Sequence, residues 1–258
     1  MTKKPIVVWV ASTNPHKLNE LQVILRLLKL EQEMVFNIPD NLVDVPETGL
    51  TFLDNARIKA EHFVERLRNI NADNHDWILA EDSGLIVPAL NDMYGYDPFP
   101  GVFSNRWMTP TIRDELLTAP MNSDIPSYID SPKITDIDKN CGILALLNHK
   151  MLNGKDVSRE ARYACAMSLW NLKTEIATAY GEMSLQVREL NEHTFLNESA
   201  QAEKNDLPRG FGYDPIMLSV PSMRCLSQMS IEEKSAISHR ANAFRQLIAL
   251  TKRGPAHN

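Results

Sequence analysis

The sequence predicts an α/β fold, in which the strands of a mixed sheet alternate with helices. Short apolar runs rich in β-branched residues alternate along the chain with segments whose apolar residues recur at helical spacing. The chain has 258 residues, of which 43% are hydrophobic and 23% charged. This length allows one large or two small domains, and the composition excludes a disordered, collagen-like or coiled-coil chain.

The first element pair is a strand followed by a helix. Residues 6–11 form a continuous apolar run, which predicts a strand buried on both faces. The run ends in a polar turn, and Pro15 suits the first helical position after an Asn14 cap. Leucines on one helical face follow: Leu18, Leu21, Leu25 and Leu28.

The central elements are predicted in the same way. A helix is expected over residues 52–69, capped by Thr51. Residues 77–80 indicate a buried strand that ends at Glu81, Asp82, Ser83 and Gly84, with residues 85–87 beyond the break. Further on, the patterns predict a helix over residues 141–151 and a pair of long strands over residues 160–172 and 175–190.

The last element is a helix whose start has two candidate positions. Ser230 and Glu233 match a capping box, and Ser238 offers a start further along the chain. Residues 119–135 and 191–209 carry prolines or polar residues with little periodicity, and we expect both to be surface loops or insertions.

Charge and cysteine content exclude several classes of protein. The chain has 27 lysines and arginines against 33 acidic residues, a net charge of −6, so it does not coat nucleic acid. No apolar run approaches a membrane span, the start does not resemble a signal peptide, and a cytoplasmic protein without membrane partners is expected. Three widely spaced cysteines support neither a disulfide framework nor a zinc site: Cys141, Cys165 and Cys225.

A turn at residues 12–17 is the first candidate binding element. Ser12, Thr13 and Asn14 separate a buried strand from a helix start, where free backbone N–H groups and the helix dipole favour an anion. Lys17 in the first helical turn opposes that dipole, which makes better sense if a phosphate lies between them. The alternative is a capped helix with a solvent-facing lysine.

Carboxylates and lysines of the central region form the next candidates. Glu47 precedes a helix on which Asn55 and Lys59 lie one turn apart. Glu81 and Asp82 follow a buried strand, where clustered carboxylate oxygens suit Mg²⁺. The alternatives are a solvated helix face and a turn with solvated acids.

Two further segments could recognise a flat base. Glycines around an aromatic residue allow close approach of such a ligand, in the run Gly210, Phe211, Gly212, Tyr213, Asp214 and Pro215. Several hydrogen-bond donors suited to a carbonyl group lie near the end of the chain: Lys234, Ser238, His239 and Arg240. A tight turn and an amphipathic helix with exposed charges are the alternatives.

Together, six segments resemble the inosine triphosphate pyrophosphatase family, also called the Ham1 family. They are Ser-Thr-Asn-x-x-Lys at 12–17, Glu-Thr-Gly-Leu-Thr-Phe at 47–52, Glu-Asp-Ser-Gly-Leu at 81–85, Pro-Gly-Val-Phe-Ser-Asn-Arg at 100–106, Gly-Phe-Gly-Tyr-Asp-Pro at 210–215, and Glu-Glu-Lys-Ser-Ala-Ile-Ser-His-Arg at 232–240. Glu81 stands where the family usually has a second aspartate, residues 91–99 are longer than the family's loop, and residues 207–209 replace a glycine-rich lead-in.

The resemblance implies a fold and an activity. The fold would be an elongated mixed sheet flanked by helices, with two lobes and a central cleft, formed by residues 1–258 as one domain and assembled as a homodimer. The family hydrolyses deaminated purine nucleoside triphosphates such as ITP, dITP and XTP to the monophosphate and pyrophosphate with Mg²⁺. A Maf-type pyrophosphatase, or a silent nucleotide-binding protein, is the alternative.

The resemblance also assigns roles to residues. Glu47 and Asp82 match the metal-associated acids, with Glu81 as a further candidate ligand and Asp82 as candidate general base. Lys17 and Lys59 match catalytic triphosphate contacts. The other predicted substrate contacts are Ser12, Thr13, Asn14, Asn55, Ser83, Phe211, Gly212, Tyr213, Asp214, Lys234, Ser238, His239 and Arg240.

Overall fold

A computed structural model describes residues 4–38, 44–69, 76–117, 133–152, 156–205 and 210–252. The strands are β1 (Ile6–Val10), β2 (Met34–Asn37), β3 (Trp77–Ile86), β4 (Glu160–Trp170), β5 (Glu175–Val187) and β6 (Met217–Ser219). The helices are α1 (Pro15–Leu27), α2 (Phe52–Asn69), α3 (Pro110–Leu117), α4 (Asp136–Leu152), α5 (Glu192–Lys204), α6 (Ile231–Ile237) and α7 (His239–Lys252). None of the described helices is long and apolar enough to cross a membrane.

The six strands form one mixed sheet in the order β2-β1-β3-β4-β5-β6. β1 runs parallel to both β2 and β3, whereas β5 and β6 are antiparallel. The helices that alternate with these strands complete the predicted α/β fold, which is therefore confirmed.

The chain divides into two compact units, and each has its own buried core. Unit 1 is drawn from Met1–Gly84, Tyr163–Met183 and Ser230–Asn258, and unit 2 from Leu85–Arg162 and Ser184–Met229. In unit 1, consecutive residues of β3 enter different apolar clusters: Leu79 packs with residues of α1 and α7, and Ile78 packs with residues of α2. This alternation follows from the strand geometry, in which successive side chains point to opposite faces.

Unit 2 contains a buried aromatic and polar cluster. The rings of Phe99 and Trp107 meet edge to face with centroids 5.1 Å apart. The indole nitrogen of Trp107 donates to the Tyr213 hydroxyl over 2.8 Å, and that hydroxyl donates to the Ser104 carbonyl over 2.5 Å. These contacts tie the segment around Tyr213 to the core of its unit.

Several predicted helix boundaries are confirmed because their capping residues act locally. The Asn14 side chain accepts a hydrogen bond from the backbone N–H of His16 over 2.9 Å, and α1 starts at Pro15. α2 has the predicted bounds, and the Thr51 hydroxyl accepts from the backbone N–H of Asp54 over 3.1 Å. The predicted pair of long strands is also present as β4 and β5, although β4 ends at Trp170 and β5 at Val187, before the predicted residues 172 and 190.

Both candidate starts of the final helix are used. Ser230 and Glu233 form a capping box at the start of α6. The Ser238 hydroxyl then accepts from the backbone N–H of Ala241 over 3.1 Å, at the start of α7. The sequence pattern that offered two alternatives therefore describes two successive helices.

Three further predictions are wrong. The strand predicted to end after residue 80 continues without a break to Ile86. Residues 191–209 were expected to form a loop, but Glu192–Lys204 form helix α5, capped by Asn191. The buried residues of α5 are Glu192, Phe195 and Leu196, so only two apolar side chains mark its inner face and its periodicity is weak. The helix predicted over 141–151 starts earlier, at Asp136.

The predicted insertion at residues 119–135 falls almost wholly outside the described residues, which resume at residue 133. All three cysteines are free and buried.

Candidate active site

The candidate site in unit 1 is organised by β3, whose residues Glu81 and Asp82 are both buried. Because consecutive side chains of a strand point to opposite faces, these two carboxylates cannot lie side by side. Their contacts follow this geometry: Asp82 meets side chains of α2, and Glu81 meets side chains of α1 and α7. The expectation of paired acids at a strand end is therefore wrong.

Asp82 is held by two residues of α2. The ammonium of Lys59 lies 3.1 Å from its Oδ1, and the amide nitrogen of Asn55 donates to its Oδ2 over 2.9 Å. Lys59 also pairs with Glu47 at 2.5 Å, and the Asn55 amide oxygen accepts from the backbone N–H of Gly49 over 2.8 Å. Helix α2 thus joins the segment carrying Glu47 to the strand carrying Asp82.

The charges around Asp82 oppose one another. Burial raises the pKa of Asp82 above its usual value, and Glu47 adds to the increase, although Lys59 and Lys17 act against it. Burial works against the charged form of Lys59, but Asp82 and Glu47 outweigh it and raise the pKa of the ammonium. The arrangement holds a proton-accepting carboxylate beside a cation that stays charged.

Glu81 lies on the other face of β3 and is saturated with donors. Its Oε2 accepts from Nε of Arg240 over 2.7 Å and from the Cys165 thiol over 3.1 Å. Its Oε1 accepts from Nη2 of Arg240 over 3.1 Å and lies 3.2 Å from the Lys17 ammonium. Burial would raise the pKa of Glu81, but Arg240 and Lys17 outweigh it and hold it well below its usual range.

Arg240 connects this carboxylate to a second one. Its Nη1 donates to Glu20, and its Nη2 donates to the Ser83 hydroxyl over 3.2 Å. Burial opposes the charge of the guanidinium, but Glu20 and Glu81 raise its pKa above the usual value. Arg240, predicted to contact a base, is thus surrounded by groups of unit 1, and contact with a ligand stays a prediction.

The hydroxyl and amide groups before α1 make local contacts. The Ser12 hydroxyl accepts from the backbone N–H of Asn14 over 3.2 Å, and the Thr13 hydroxyl donates to Asp44 over 2.7 Å. No acidic residue lies in the first turn of α1. A phosphate at this helix start stays a prediction.

The predicted base contacts from the end of the chain are also in unit 1. Lys234, Ser238 and His239 are all buried. The imidazole of His239 stacks at an angle on Tyr163, with ring centroids 5.1 Å apart. Burial and the neighbouring Arg240 lower the pKa of His239 to about 3, so this side chain is neutral at physiological pH.

The predicted glycine-rich loop belongs to unit 2 and is held by α4. Gly212 adopts φ +60°, donates its backbone N–H to Asp136 over 2.9 Å and accepts from the Asn140 amide over 2.8 Å. The backbone N–H of Phe211 donates to Asp214 over 3.4 Å. Two residues of one helix therefore fix the residue that follows Phe211.

Sequence reasoning did not identify four residues of these clusters: Glu20, Asp136, Asn140 and Cys165. Glu20 lies one helical turn after Lys17, and this spacing could have indicated a shared face. The other three carried no signal, because their partners lie far away in the chain: Cys165 meets Glu81, and Asp136 and Asn140 meet Gly212.

Oxygen ligands for a metal are available on the Asp82 face. Glu47 and Asp82 both lie against Lys59, and carboxylates of this kind suit Mg²⁺, which is often held by one or two carboxylates plus phosphate oxygens and water. Among the described residues, no cluster of three or more histidine, cysteine or acidic side chains could hold a metal by itself. The pair thus fits a metal that is shared with a phosphorylated ligand.

Comparison with known proteins gives a consistent result. A model of the Ham1 family matches residues 8–250. A dITP/XTP pyrophosphatase of an Exiguobacterium species is 34% identical over 241 residues, which cover 93% of this chain and 94% of the relative. The dITP/XTP pyrophosphatase of Aquifex aeolicus is 31% identical over 245 residues, covering 94% of this chain and 95% of the relative.

Solved structures agree with these relatives. A HAM1 protein from Coxiella burnetii superposes with a TM-score of 0.64 at 26% identity, covering 96% of this chain and all of the other. The Ham1 protein of Staphylococcus aureus gives a TM-score of 0.60 at 25% identity, with 96% and 98% of the two chains covered.

Proposed function

The chain belongs to the Ham1 family, and from this premise we propose that it converts ITP, dITP and XTP to the monophosphate and pyrophosphate, using Mg²⁺. Its relatives named dITP/XTP pyrophosphatase match over nearly their whole length, so the chain is a hydrolase of nucleoside triphosphates that sanitises the nucleotide pool. The choice of deaminated purines and of Mg²⁺ is the proposed part.

One observation carries the proposal: Asp82 has a raised pKa and contacts both the Lys59 ammonium and the Asn55 amide. Glu47 forms an ion pair with the same lysine. A general base needs a carboxylate that is ionised yet able to accept a proton, and burial provides this by raising its pKa. The adjacent lysine provides the positive charge that a triphosphate needs.

The proposed reaction is a hydrolysis between the α- and β-phosphates. The oxygen of a water molecule bonds to the α-phosphorus while its proton passes to Asp82, and the bond from the α-phosphorus to the bridging oxygen breaks to release pyrophosphate. Lys17 and Lys59 bind the phosphate oxygens and stabilise the negative charge that develops on the leaving group. Mg²⁺, when held by Glu47 and Asp82, supplies further neutralisation of phosphate charge.

Base selection is assigned to the buried donors near the end of the chain. We propose that Lys234, Ser238 and His239 face a carbonyl at position 6 of the purine. Phe211 keeps the base-stacking role that the resemblance assigns to it. An amino group at that position would leave a buried donor unpaired, which costs about 1–3 kcal/mol, or roughly 5- to 150-fold for each contact. ATP is therefore expected to be a poor substrate.

A substrate panel with pyrophosphate detection tests this function. ITP, dITP and XTP are expected to release pyrophosphate much faster than ATP or CTP, and removal of Mg²⁺ by a chelator is expected to stop the release. Equal turnover of ATP and ITP would contradict base selection. Release of orthophosphate instead of pyrophosphate would contradict cleavage between the α- and β-phosphates.

We also propose that the chain forms a homodimer in the cytoplasm, as the resemblance implies. Light scattering after size-exclusion chromatography is expected to give a mass close to twice that of one 29.2 kDa chain. A mass of one chain at micromolar concentration would contradict it.

A further inference from the structure

We infer that Glu81 is a positioning residue for Lys17, and that Cys165 and Arg240 fix the Glu81 carboxylate from its buried side. The inference rests on the proposed function, in which Lys17 binds the triphosphate. In this role Glu81 positions a lysine and does not bind a metal, although it is next to the candidate metal ligand Asp82 in the sequence.

The Glu81 side chain points away from that of Asp82. Glu81 is in the middle of the continuous strand β3, so its side chain and that of Asp82 leave opposite faces of the sheet. Asp82 shares Lys59 with Glu47, whereas none of the contacts of the Glu81 carboxylate is to Glu47 or Lys59. Glu81 is therefore turned away from the pair of carboxylates that suits a metal.

Both oxygens of the Glu81 carboxylate already accept contacts from protein donors. Four donors surround the Glu81 carboxylate at 2.7 to 3.2 Å: two from Arg240, the Cys165 thiol and the Lys17 ammonium. The Glu81 side chain is only 1% exposed. A carboxylate with this many protein donors, including two cations, has little remaining capacity for a metal ion.

Lys17 is a residue of the first turn of α1, where the helix dipole disfavours a cation and no acidic side chain of that turn compensates. The contact with Glu81 supplies the missing negative charge, and the Lys17 side chain keeps 15% of its surface exposed. Glu81 thus holds the ammonium in place while part of the Lys17 side chain stays exposed.

Arg240 and Cys165 hold the Glu81 carboxylate in a fixed position. Arg240 binds it through two nitrogens and is itself held by Glu20, so the guanidinium has a fixed orientation. The Cys165 thiol is fully buried in β4 and donates to the same oxygen as Nε of Arg240. These contacts leave Oε1 directed to Lys17.

The test combines Glu81→Gln with Lys17→Ala in a double-mutant cycle. The measured quantity is the dissociation constant of an ITP analogue whose α–β bridge cannot be hydrolysed, without metal and with Mg²⁺. Glu81→Gln alone is expected to weaken binding about 10- to 100-fold, the usual effect of losing a charged hydrogen bond. In the Lys17→Ala background, the same change is expected to have almost no further effect, because the group that it positions is absent.

Glu61→Gln is the matched control. It makes the same change at an exposed carboxylate of α2 that is not among the contacts of Glu81, Arg240 or Lys17. Its effect on binding is therefore expected to be small and the same with and without Lys17. Equal effects of Glu81→Gln in the wild-type and Lys17→Ala backgrounds would overturn the inference. It would also be overturned if Glu81→Gln needed a tenfold higher Mg²⁺ concentration than wild type for half-maximal activity, because that is the result expected of a metal ligand.

A milder pair of variants covers the case in which Glu81→Gln does not fold. Cys165→Ala removes the thiol donor and is expected to weaken analogue binding a few-fold when Lys17 is present, and not in the Lys17→Ala background. Cys165→Ser keeps a donor and is expected to bind the analogue as wild type does. Equal binding by both variants would overturn the role of Cys165. If the wild-type chain hydrolyses no nucleoside triphosphate, the proposed function fails and the inference fails with it; wild-type turnover with additive Glu81 and Lys17 effects overturns the inference alone.

Discussion

Asp82 is the residue on which the proposed chemistry depends most directly. Asp82→Asn keeps the size of the side chain and a hydrogen-bond partner for Lys59, but it removes the proton acceptor. The kcat for ITP is expected to fall about 10²- to 10⁴-fold, the usual contribution of general base catalysis. Pyrophosphate release measures the loss, and the urea midpoint is expected to show that the variant is folded.

A control for this change lies on the same helix that supports Asp82. Glu61 is exposed on α2 and contacts none of the site residues described above. Glu61→Gln is expected to leave kcat within about twofold of wild type, since exposed substitutions have small effects. An Asp82→Asn enzyme as active as Glu61→Gln would exclude Asp82 as the base.

His239 makes a prediction about stability at the same scale. Its pKa is about 3 in the folded chain against a usual value of 6.5, because it is buried and faces Arg240 and Lys234, with Glu20 and Glu81 opposing them. Between these two pH values the unfolded chain binds the extra proton, so the free energy of unfolding falls as the pH is lowered from 6.5. The loss from this group is about 1.5 kcal/mol between pH 6.5 and pH 5.

Urea unfolding of His239→Gln checks this assignment. The variant is expected to lose less stability than wild type on going from pH 6.5 to pH 5, by about the amount calculated for the histidine. His62→Gln, at an exposed position of α2, is expected to retain the wild-type dependence. The same pH dependence in all three proteins would mean that His239 is protonated in the folded state.

At the scale of the element, α4 is predicted to matter through its grip on the glycine-rich loop. Asn140 donates to the Gly212 carbonyl, and Asp136 accepts from the Gly212 backbone N–H. Asn140→Ala removes one of these contacts next to Phe211, the proposed stacking residue. The KM for ITP is expected to rise at least about fivefold with a smaller change in kcat, as the loss of one hydrogen bond of about 1 kcal/mol implies.

Steady-state kinetics on ITP distinguish this effect from a general loss of structure. Asn197→Ala is the comparison, because Asn197 is an exposed residue of α5 in the same unit. Its KM is expected to match that of wild type. A fall in kcat without a change in KM for Asn140→Ala would contradict a role in holding the stacking loop.

Elements with strong local signals could be predicted from the sequence, and those that depend on neighbours could not. Asn14 and Thr51 cap their helices through bonds to nearby backbone N–H groups, so the signal is contained in a few residues. Residues 83 and 84, Ser-Gly, resemble a turn, yet β3 continues through them, because pairing within the sheet outweighs local preference. The start of α4 was missed because its first turns are polar.

For the whole molecule, the candidate site likewise combines features that the sequence predicted with features that depend on distant parts of the chain. The motifs named Glu47, Asn55, Lys59 and Asp82 as candidates, and the structure brings these four residues together in unit 1. The sequence did not show that Glu81 and Asp82 point apart, because that depends on the strand continuing past them. The wrong strand end therefore left the direction of the Glu81 side chain unpredicted.

The cysteines give a prediction for the whole chain. Cys141, Cys165 and Cys225 are free and buried, and burial raises the pKa of the Cys141 and Cys165 thiols. Because the thiolate is the reactive form, the native protein is expected to react very slowly with a disulfide reagent at pH 8, and three thiols are expected to react in urea. The thermal midpoint is expected to be the same with and without a reductant, since no disulfide stabilises the fold; rapid reaction of the native protein, or a lower midpoint under reducing conditions, would contradict the buried, unpaired state of these residues.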